Sequence, residues 1–547
     1  MTASADNHRS KMLWKLAPAI LLVALGDLLF YQRGLTGSYI GFYAVALIGG
    51  LVAGHPGVRR DRRAWLAVAA ALIFAGALAY DPGLLAWTLF WSALGIAALL
   101  PRTGPFDDGW RWFQRLAWHA LRSPFAPLID FRKLLRTRRR RPRQQRSRRP
   151  LLPVLALPVF GSLVFLFLFA AANPVLARLL YSVRGPDLGE IDIVRPLVWA
   201  LLFTLTWSFL RPRLALQLLP TFDGRGDLPL PGVSVASVLV SLVAFNLVFA
   251  LQNAMDVIYL WGEARLPGDM TMADYAHRGA YPLIATALLA ALFVLVTLRP
   301  GSATSQVPAI RWLVMAWVAQ NIFLVASSIE RMIDYVGSYS LTELRIVVLG
   351  WMTLVAFGLA AICWRMLADK SAGWLINLNL AAATLLLTFA SFVDLGTVAA
   401  QWNVRHAREA GGKAVHLDLC YLRSLRSSAL LPLIELERRP ALTPAFREQV
   451  QAVRQDLYLD LKRDQAGGDW TLRGARRLKQ AHQELAGTQP VPIAPYSRGC
   501  NGSPRPSVDP AYPAEAAEDA PSLTTLPPEP ADPTQPAVSR RAEPDRR

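Results

Sequence analysis

The stretch that decides the fold runs from residue 310 to residue 346 and reads IRWLVMAWVAQNIFLVASSI followed by ERMIDYVGSYSLTELRI. Its first part, 310–329, is almost wholly apolar and is long enough to cross a hydrocarbon core of about 30 Å as a helix. Its second part, 330–346, is dense in charged and aromatic side chains and leads into another apolar run. This pattern predicts two membrane-spanning helices that are joined by a polar loop.

The same alternation recurs along the 547-residue chain, in which 53% of the residues are hydrophobic and 18% are charged. Soluble proteins carry about 25% charged residues. The apolar runs are rich in Leu and Ala and lack the ten-residue alternation of a membrane barrel. We therefore expect an all-α, polytopic transmembrane helix bundle of about eleven spans. The predicted spans are 13–31, 37–54, 64–80, 83–100, 151–172, 194–210, 233–255, 279–298, 310–329, 342–364 and 374–398.

Charges in the predicted loops indicate how the protein is oriented. Every second loop is basic, whereas the intervening loops are mixed in sign or acidic. Between Arg102 and Arg149 the chain holds fifteen Arg or Lys residues and three Asp residues, which accounts for much of the formal net charge of +19. Because basic loops stay in the cytoplasm, the pattern places the N-terminus there. Eleven crossings of a bacterial inner membrane then place the C-terminus in the periplasm.

The loop from Arg102 to Arg149 predicts a lipid partner in addition to the bilayer itself. Arginines beside a membrane span favour anionic lipid headgroups, whereas nucleic acid is not expected because no base-reading fold accompanies the loop. Within it, residues 106–122 have the pattern of an amphipathic helix that lies in the headgroup layer, with Trp112 and Phe113 on its apolar side. The alternative is a helix packed on the cytoplasmic ends of the bundle. No protein partner is indicated.

Composition divides the chain into five segments. They are N-terminal transmembrane helices at 1–100, a basic cytoplasmic loop with an interfacial helix at 101–150, a core transmembrane bundle at 151–400, a soluble helical region at 401–489 and a Pro-rich tail at 490–547.

The last two segments differ in their capacity to fold. In the soluble region we expect helices at 414–438, 444–465 and 470–486, with Thr443 capping the second and Asp469 capping the third. The tail contains fourteen prolines and few apolar side chains. It cannot bury a core, so we expect it to be disordered.

The sequence predicts no cofactor and no metal site. The cysteines Cys363, Cys420 and Cys500 match no metal-binding or redox spacing. We find no phosphate-binding Gly-rich loop, no metalloprotease motif and no Gly-x-Ser-x-Gly motif. These observations favour a protein that is not an enzyme, and they leave an unusual intramembrane chemistry open.

The candidate functional residues are polar side chains in or beside the spans, where each is energetically costly. Asn246, Asn253 and Asp256 recur at i, i+7 and i+10 on one face of the seventh span. One interpretation is helix–helix hydrogen bonding at about 0.6 kcal/mol per bond, with an ion-pair network at the outer bilayer edge. The other is a polar pocket that opens to the outer face between the seventh, ninth and tenth spans. The candidate site comprises Asn246, Asn253, Asp256, Gln320, Glu330, Arg331, Asp334, Tyr335 and Arg345.

The outer loops of two neighbouring helical hairpins look alike. Thr271-x-x-Asp274 and Ser340-x-x-Glu343 both have the form of a capping box, in which a hydroxyl caps a new helix and an acid reaches back to its start. The second match predicts that Ser340 caps the tenth span, while Glu330 and Arg331 end the ninth. Together the two matches suggest a duplicated hairpin, which is a feature of transporters.

The same loops carry a resemblance to a known family. The motifs are Asp274-Tyr275-x-x-Arg278-Gly279, Arg331-Met332-x-x-Tyr335, Ser340-Leu341-Thr342-Glu343-Leu344-Arg345 and Asp418-x-x-Tyr421-Leu422-x-x-Leu425. They resemble a bacterial inner-membrane family of unknown function, in the 4173/4153 group of domain-of-unknown-function families. The family's usual Gly before Leu-Thr is replaced here by Ser340. The resemblance implies an integral membrane protein, and it supplies no catalytic residue.

Three functions follow as hypotheses. The first is a non-enzymatic protein of the cell envelope that binds a lipid, a small polar ligand or a partner at its outer polar rim. The second is a secondary transporter that uses the seventh to tenth spans. The third is an intramembrane transferase or hydrolase acting on a lipid-linked substrate, with Glu330, Asp334 or Asp256 as acid or base.

Overall fold

A computed structural model of the chain describes most of its predicted helical segments. The described residues are 2–31, 37–103, 106–139, 194–214, 234–262, 306–412, 416–486 and 498–504, together with the isolated positions 162, 219, 286, 289 and 293. Within these ranges the structure is helical, and its only β-type pairing is an isolated bridge between Arg498 and Pro504.

Seventeen α-helices occupy the described ranges, and we number them in chain order. They are α1 Thr2–Phe30, α2 Tyr39–Gly54, α3 Pro56–Arg60, α4 Arg62–Tyr80, α5 Leu84–Thr103, α6 Gly109–Arg122, α7 Ala126–Arg139, α8 Val194–Leu210, α9 Val235–Asp256, α10 Pro308–Tyr339, α11 Glu343–Leu367, α12 Ala372–Phe392, α13 Leu395–His406, α14 Leu419–Ser424, α15 Leu430–Glu437, α16 Pro444–Ala466 and α17 Leu472–Leu485. A π-helical turn, Val257–Trp261, continues α9.

Six of these helices are long and apolar enough to span a membrane, namely α4, α5, α9 with its π-helical turn, α10, α11 and α12. Two shorter apolar helices occupy Tyr39–Gly54 and Arg195–Leu210. Helices lie at nine of the eleven predicted positions, and the other two, 151–172 and 279–298, fall almost entirely outside the described residues. The chain is therefore an all-helical membrane protein, whereas the count of eleven spans stays a prediction.

The predicted end of the ninth span is wrong. Glu330 and Arg331 do not end α10, which continues to Tyr339. The physical reason is that Arg331 is buried and forms an ion pair with Asp256 of α9. A charge that is neutralised inside the bundle does not force a helix to leave the membrane at that point.

The predicted eleventh span, 374–398, is also interrupted. Helix α12 ends at Phe392, and α13 begins at Leu395 with Asp394 as its N-cap. The Asp394 carboxylate accepts the backbone N–H of Thr397 at 3.1 Å, which satisfies one of the free donors at the start of the new helix. This break separates the last apolar helix from the C-terminal helices.

Two apolar cores hold the membrane helices together. The first lies among α1, α2, α4, α5 and α8 and includes Phe90 and Leu94, which are fully buried. Here α4 and α5 form a hairpin that turns at residues 81–83, and Gly41 of α2 lies against the backbone of Ala79, where a Cβ atom would not fit. The second core joins α9, α10, α11 and α12 around Trp317.

The C-terminal helices α14–α17 form a further core with the end of α13. The helix predicted at 414–438 is divided into α14, a 3-10 turn at Arg426–Ala429 and α15, because Arg426 adopts a positive φ of 51°. Thr443 caps α16 as predicted, whereas Thr471 and not Asp469 caps α17. In the predicted tail, residues 498–504 are held by a disulfide between Cys500 and Cys420 of α14.

The described helices expose two chemically different ends. At one end, Lys15 Nζ donates to the carbonyl oxygen of Leu210 at 2.5 Å, and Arg213 forms an ion pair with Asp130 at 2.6 Å. At the other end, the C-terminal helices contact the loops that precede α2 and α5. There, Ser38 N–H donates to the Trp470 carbonyl at 2.8 Å, and Arg473 pairs with Asp81 at 2.6 Å. Among the described residues, Lys15, Arg102, Arg211 and Arg213 thus share the first end, whereas Asp81 and the start of α2 share the second.

Candidate functional site

Helix α9 presents its predicted polar face to α10. The Gln320 side-chain N–H donates to Asn246 Oδ1 at 2.8 Å, and Asn246 Nδ2 donates to the Leu313 carbonyl at 3.0 Å. Two helical turns further along α9, Asn253 Nδ2 donates to the Gln320 carbonyl at 3.2 Å. Three of the candidate residues therefore form an interhelical ladder of hydrogen bonds between α9 and α10.

The ladder ends at a buried ion pair. Asp256 of α9 has 0% of its surface exposed and Arg331 of α10 has 3%, and their carboxylate and guanidinium groups are in contact. Gln252 also donates to Asp256 Oδ1 at 3.0 Å. Arg331 lies eight residues before the end of α10. At a rise of 1.5 Å per residue, this is about 12 Å from the C-terminal end of the helix.

The backbone of α9 changes immediately after Asp256. The turn Val257–Trp261 is π-helical, and Trp261 Nε1 donates to Ser327 Oγ at 3.2 Å across to α10. Single π-helical turns inside α-helices are rare and are found frequently at functional sites. The distortion and the charged pair therefore occur together at the C-terminal end of α9.

Two buried acceptor oxygens face this region. Asn253 Oδ1 and Gln320 Oε1 have no hydrogen-bond partner within the described ranges. A buried acceptor without a donor is unfavourable by roughly 1–3 kcal/mol. Both amides could therefore accept hydrogen bonds from a molecule that carries N–H or O–H groups.

The loop between α10 and α11 is built differently from its predicted capping box. Ser340 has a φ of 68°, a region that favours glycine, and Thr342 is the residue that caps α11 by accepting the Arg345 N–H. The Arg345 guanidinium donates to the Tyr339 carbonyl at 2.7 Å and to the Ser340 carbonyl. It also lies over the Tyr335 ring at 4.4 Å. The prediction that Ser340 and Glu343 form the box is thus wrong, and Thr271 and Asp274 lie outside the described residues.

Seven of the nine candidate residues therefore fall into two groups. Five of them, Asn246, Asn253, Asp256, Gln320 and Arg331, line the contact between α9 and α10. Tyr335 and Arg345 belong to the α10–α11 loop. Glu330 is half-buried and Asp334 is exposed, and the described contacts bring neither carboxylate to the two groups. In the described contacts Arg331 pairs with Asp256 of α9, and Arg345 donates to loop carbonyls.

A second polar cluster was missed by the sequence reasoning. Arg477 of α17 pairs with Asp394, and Ser428 Oγ donates to the same carboxylate at 3.0 Å. Burial alone would raise the pKa of Asp394, but hydrogen bonds from Thr397 and the charge of Arg477 lower it below its ordinary value. The spacing Arg473-x-x-x-Arg477, which places two guanidinium groups on one helical face, was the available signal.

Further contacts join the C-terminal helices to the same end of the membrane helices. Arg473 of α17 binds Asp81 and donates to the Phe392 carbonyl at 3.2 Å. Burial raises the pKa of Asp81, and the positive charge of Arg473 offsets part of that shift. The Tyr421 hydroxyl accepts the backbone N–H of Glu343, the first residue of α11, at 3.0 Å. These contacts fix the C-terminal helices onto the membrane bundle.

The described residues contain no group of three or more His, Cys, Asp or Glu side chains that could hold a metal ion.

Comparison with known proteins gives one match. The model of the family described as Domain of unknown function (DUF4153) matches residues 67–436, from within α4 to the end of α15. No curated protein and no solved structure matches the chain. The matched range contains all nine candidate residues and Asp394, whereas Arg473, Arg477 and Cys500 lie beyond it. The chain therefore belongs to the DUF4153 family, a family whose function is unknown.

Proposed function

We propose that this protein is a multi-pass protein of the bacterial inner membrane that binds a polar ligand or a lipid headgroup at the outer ends of α9 and α10. In this arrangement the N-terminus lies in the cytoplasm and the C-terminal helices lie in the periplasm. The observation that carries the binding function is the buried Asp256–Arg331 pair beside the unused acceptors of Asn253 and Gln320.

Two independent features support the orientation. The first is the separation of the basic loops from the acidic or mixed loops at opposite ends of the helices, which follows the positive-inside rule. The second is the disulfide between Cys420 and Cys500 in the C-terminal region, at the acidic end. Disulfides persist in the oxidising periplasm and are rare in the cytoplasm. Both features support an arrangement in which this end lies outside.

The chemistry of the site restricts what it binds. Asn253 Oδ1 and Gln320 Oε1 are hydrogen-bond acceptors, so they select a ligand with N–H or O–H donors, such as a hydroxylated or amino headgroup. Asp256 and Arg331 neutralise each other and present both signs of charge to such a ligand. Their position in the outer part of the bundle favours entry from the periplasmic leaflet. Binding, and not transfer chemistry, is the simplest use of this set.

Mass spectrometry of co-purified molecules tests the binding function. Full-length protein is extracted from native membranes in a mild detergent, then denatured, and the released small molecules are identified. We expect wild-type protein to release a donor-bearing polar molecule or lipid in a near-stoichiometric amount. Asn253→Leu should release several-fold less, whereas Leu251→Ala, on the exposed face of the same helix, should release the wild-type amount. A wild-type release no richer than bulk lipid would contradict the proposal.

Transport is a second candidate, because the π-helical turn gives α9 an irregular backbone next to the charged pair. The two functions differ in access. In a Cys363→Ser background, Asn253→Cys is treated with a membrane-impermeant thiol reagent from each side of the membrane, with Leu251→Cys as the control. Labelling from the periplasmic side alone supports a binding site. Labelling from both sides supports transport, and labelling from neither side argues against both.

A further inference from the structure

Four cations from three distant segments of the chain converge at the inner end of the bundle. Arg211 and Arg213, which follow α8, both pair with Asp130 of α7, at 3.3 and 2.6 Å. Lys15 of α1 donates to the carbonyl of Leu210, and Arg102 of α5 donates to that of Pro212. These contacts gather Lys15, Arg102, Arg211 and Arg213, which we call the inner basic cluster.

The inner basic cluster has a large excess of positive charge. Lys15 lies close enough to Arg102 and Arg211 to be repelled by both. Asp130 is the one carboxylate that the described contacts bring to these four cations. Two of the side chains are mostly buried, since Arg211 is 21% exposed and Arg213 is 19% exposed. Like charges held together away from water repel strongly and are stabilised by a bound anion.

A purely structural role accounts for only part of this arrangement. Lys15 and Arg102 bind carbonyls at the C-terminal end of α8, where cations are favourable because of the helix dipole. However, an ammonium group has three hydrogen-bond donors and a guanidinium group has five. In the described contacts, Lys15 and Arg102 each use one of these donors. Nearby His55 adds no positive charge at neutral pH, because burial together with the charges of Lys15 and Arg102 lowers its pKa to about 4.

Helix α7, which contributes Asp130 to the cluster, and the preceding helix α6 also carry an exposed apolar surface. Trp112 of α6 and Asp130 of α7 are buried against the bundle, and Trp207 Nε1 donates to Asp130 at 3.0 Å. The opposite side of α6 and α7 carries large apolar side chains that are each more than half exposed. They are Phe113, Leu121, Phe125, Leu128 and Phe131. One face of the amphipathic segment therefore packs on the bundle, and the other face is exposed.

We propose that Lys15, Arg102, Arg211 and Arg213 bind the phosphate of an anionic phospholipid of the inner leaflet, whose acyl chains lie along the exposed face of α6 and α7. Basic pockets between transmembrane helices on the cytoplasmic side take anionic headgroups in this way. A free phosphate would satisfy the cations and would leave the apolar face uncovered, so the geometry favours the lipid. This inner site does not depend on the outer site proposed above.

Lipid retention by the full-length protein tests the inner site. Purified protein is exchanged into nanodiscs or detergent containing phosphatidylglycerol and phosphatidylcholine, and the retained lipids are counted by native mass spectrometry. We expect wild-type protein to retain phosphatidylglycerol at least five-fold better than phosphatidylcholine. The double variant Lys15→Gln with Arg102→Gln should lose most of this preference. The control, Arg60→Gln with Arg63→Gln, removes the same charge from exposed positions of the same end and should keep it.

Three further results would overturn the inference. Equal retention of the two lipids by wild-type protein would exclude the site without any variant, even if the double variant failed to fold. An equal loss in the test and control variants would reduce the effect to net charge. Displacement of the lipid by millimolar inorganic phosphate, with unchanged thermal stability, would identify free phosphate as the ligand. Recovery of the preference in Arg102→Lys with Lys15→Arg, which keeps both charges, is the expected positive result.

Discussion

Asp256 and Arg331 form an ion pair between α9 and α10 across 75 positions of sequence, with both side chains almost completely buried. Burying two charges is unfavourable unless the pair has good geometry and further hydrogen bonds. Gln252 supplies one such bond to Asp256. The pair explains why α10 continues past its charged residues, and it marks the point at which the hydrogen-bond ladder from Asn246 ends.

Breaking this pair should be strongly destabilising. We expect Arg331→Met to lower the free energy of unfolding by about 3–5 kcal/mol, because it leaves the Asp256 carboxylate buried without its counter-charge. The double variant Asp256→Leu with Arg331→Met should lose less than Arg331→Met alone, because it removes both charges. Thermal unfolding in detergent measures both changes.

Glu330 provides the matched control for that experiment. It precedes Arg331 on the same helix and is half-buried, yet the described contacts give it no ion pair. Glu330→Gln should change the free energy of unfolding by less than about 0.5 kcal/mol, as is usual for sites without a special contact. A loss as large as that of Arg331→Met would mean that charge in general, and not the pair, stabilises α10.

Ser340→Gly should stabilise the loop between α10 and α11. Ser340 has a φ of 68°, and a side chain in such a conformation is strained by roughly 1–3 kcal/mol. Glycine relieves the strain. It also gives the unfolded chain more conformational freedom, which lowers the free energy of unfolding by up to about 1 kcal/mol. We expect a net gain of about 1 kcal/mol in unfolding experiments, and no gain for Ser340→Ala. Destabilisation by Ser340→Gly would show that the hydroxyl has a role of its own.

The sequence could predict the elements that depend on local composition. Long apolar runs gave the positions of the described membrane helices, and the spacing of Asn246, Asn253 and Asp256 gave the polar face of α9. The replacement of the family's usual Gly by Ser340 was also visible, and its meaning became clear once the positive φ was known. These features depend on residues that are near each other in the chain.

The remainder depends on contacts between distant residues. The end of α10 could not be predicted, because the partner of Arg331 lies 75 positions away. The attachment of α17 was hidden for the same reason, since Arg477 finds Asp394 across 83 positions. Cys420 and Cys500, separated by 80 residues, lack a recognisable spacing because long loops place no constraint on it.

The disulfide and the orientation can be checked together. We expect Cys420 and Cys500 to resist alkylation in unreduced protein from cells, because a periplasmic location keeps them oxidised. An alkaline phosphatase fusion after residue 486 should be active, and a green fluorescent protein fusion there should be dark. Free thiols at both positions, with a fluorescent fusion, would reverse the orientation.

Removing the disulfide should weaken the C-terminal helices. Cys420→Ser with Cys500→Ser opens a loop of 80 residues and should lower the stability of this region by about 2–5 kcal/mol. Hydrogen exchange in α14 and α16 measures the change. Cys363→Ser is the control, because Cys363 is a free cysteine in α11 and should leave exchange in α14 and α16 unaltered.

The contact of Asp394 with Arg477 should make the attachment of α17 sensitive to acid. The pKa of Asp394 is lowered in the folded protein, so its contribution to stability is fully present above the ordinary carboxyl value of about 3.9. That contribution is lost as the pH falls through the lowered folded pKa. We therefore expect hydrogen exchange in α17 to accelerate below about pH 4 in wild-type protein.

In Asp394→Asn, exchange should already be fast at neutral pH, by about ten-fold or more, and should change little with acid. Asp81→Asn is the comparison, because burial raises the pKa of Asp81, so neutralising it should be far less disruptive. Equal effects of the two substitutions at neutral pH would argue that the Arg473–Asp81 contact holds α17 in place as strongly as the Arg477–Asp394 contact does.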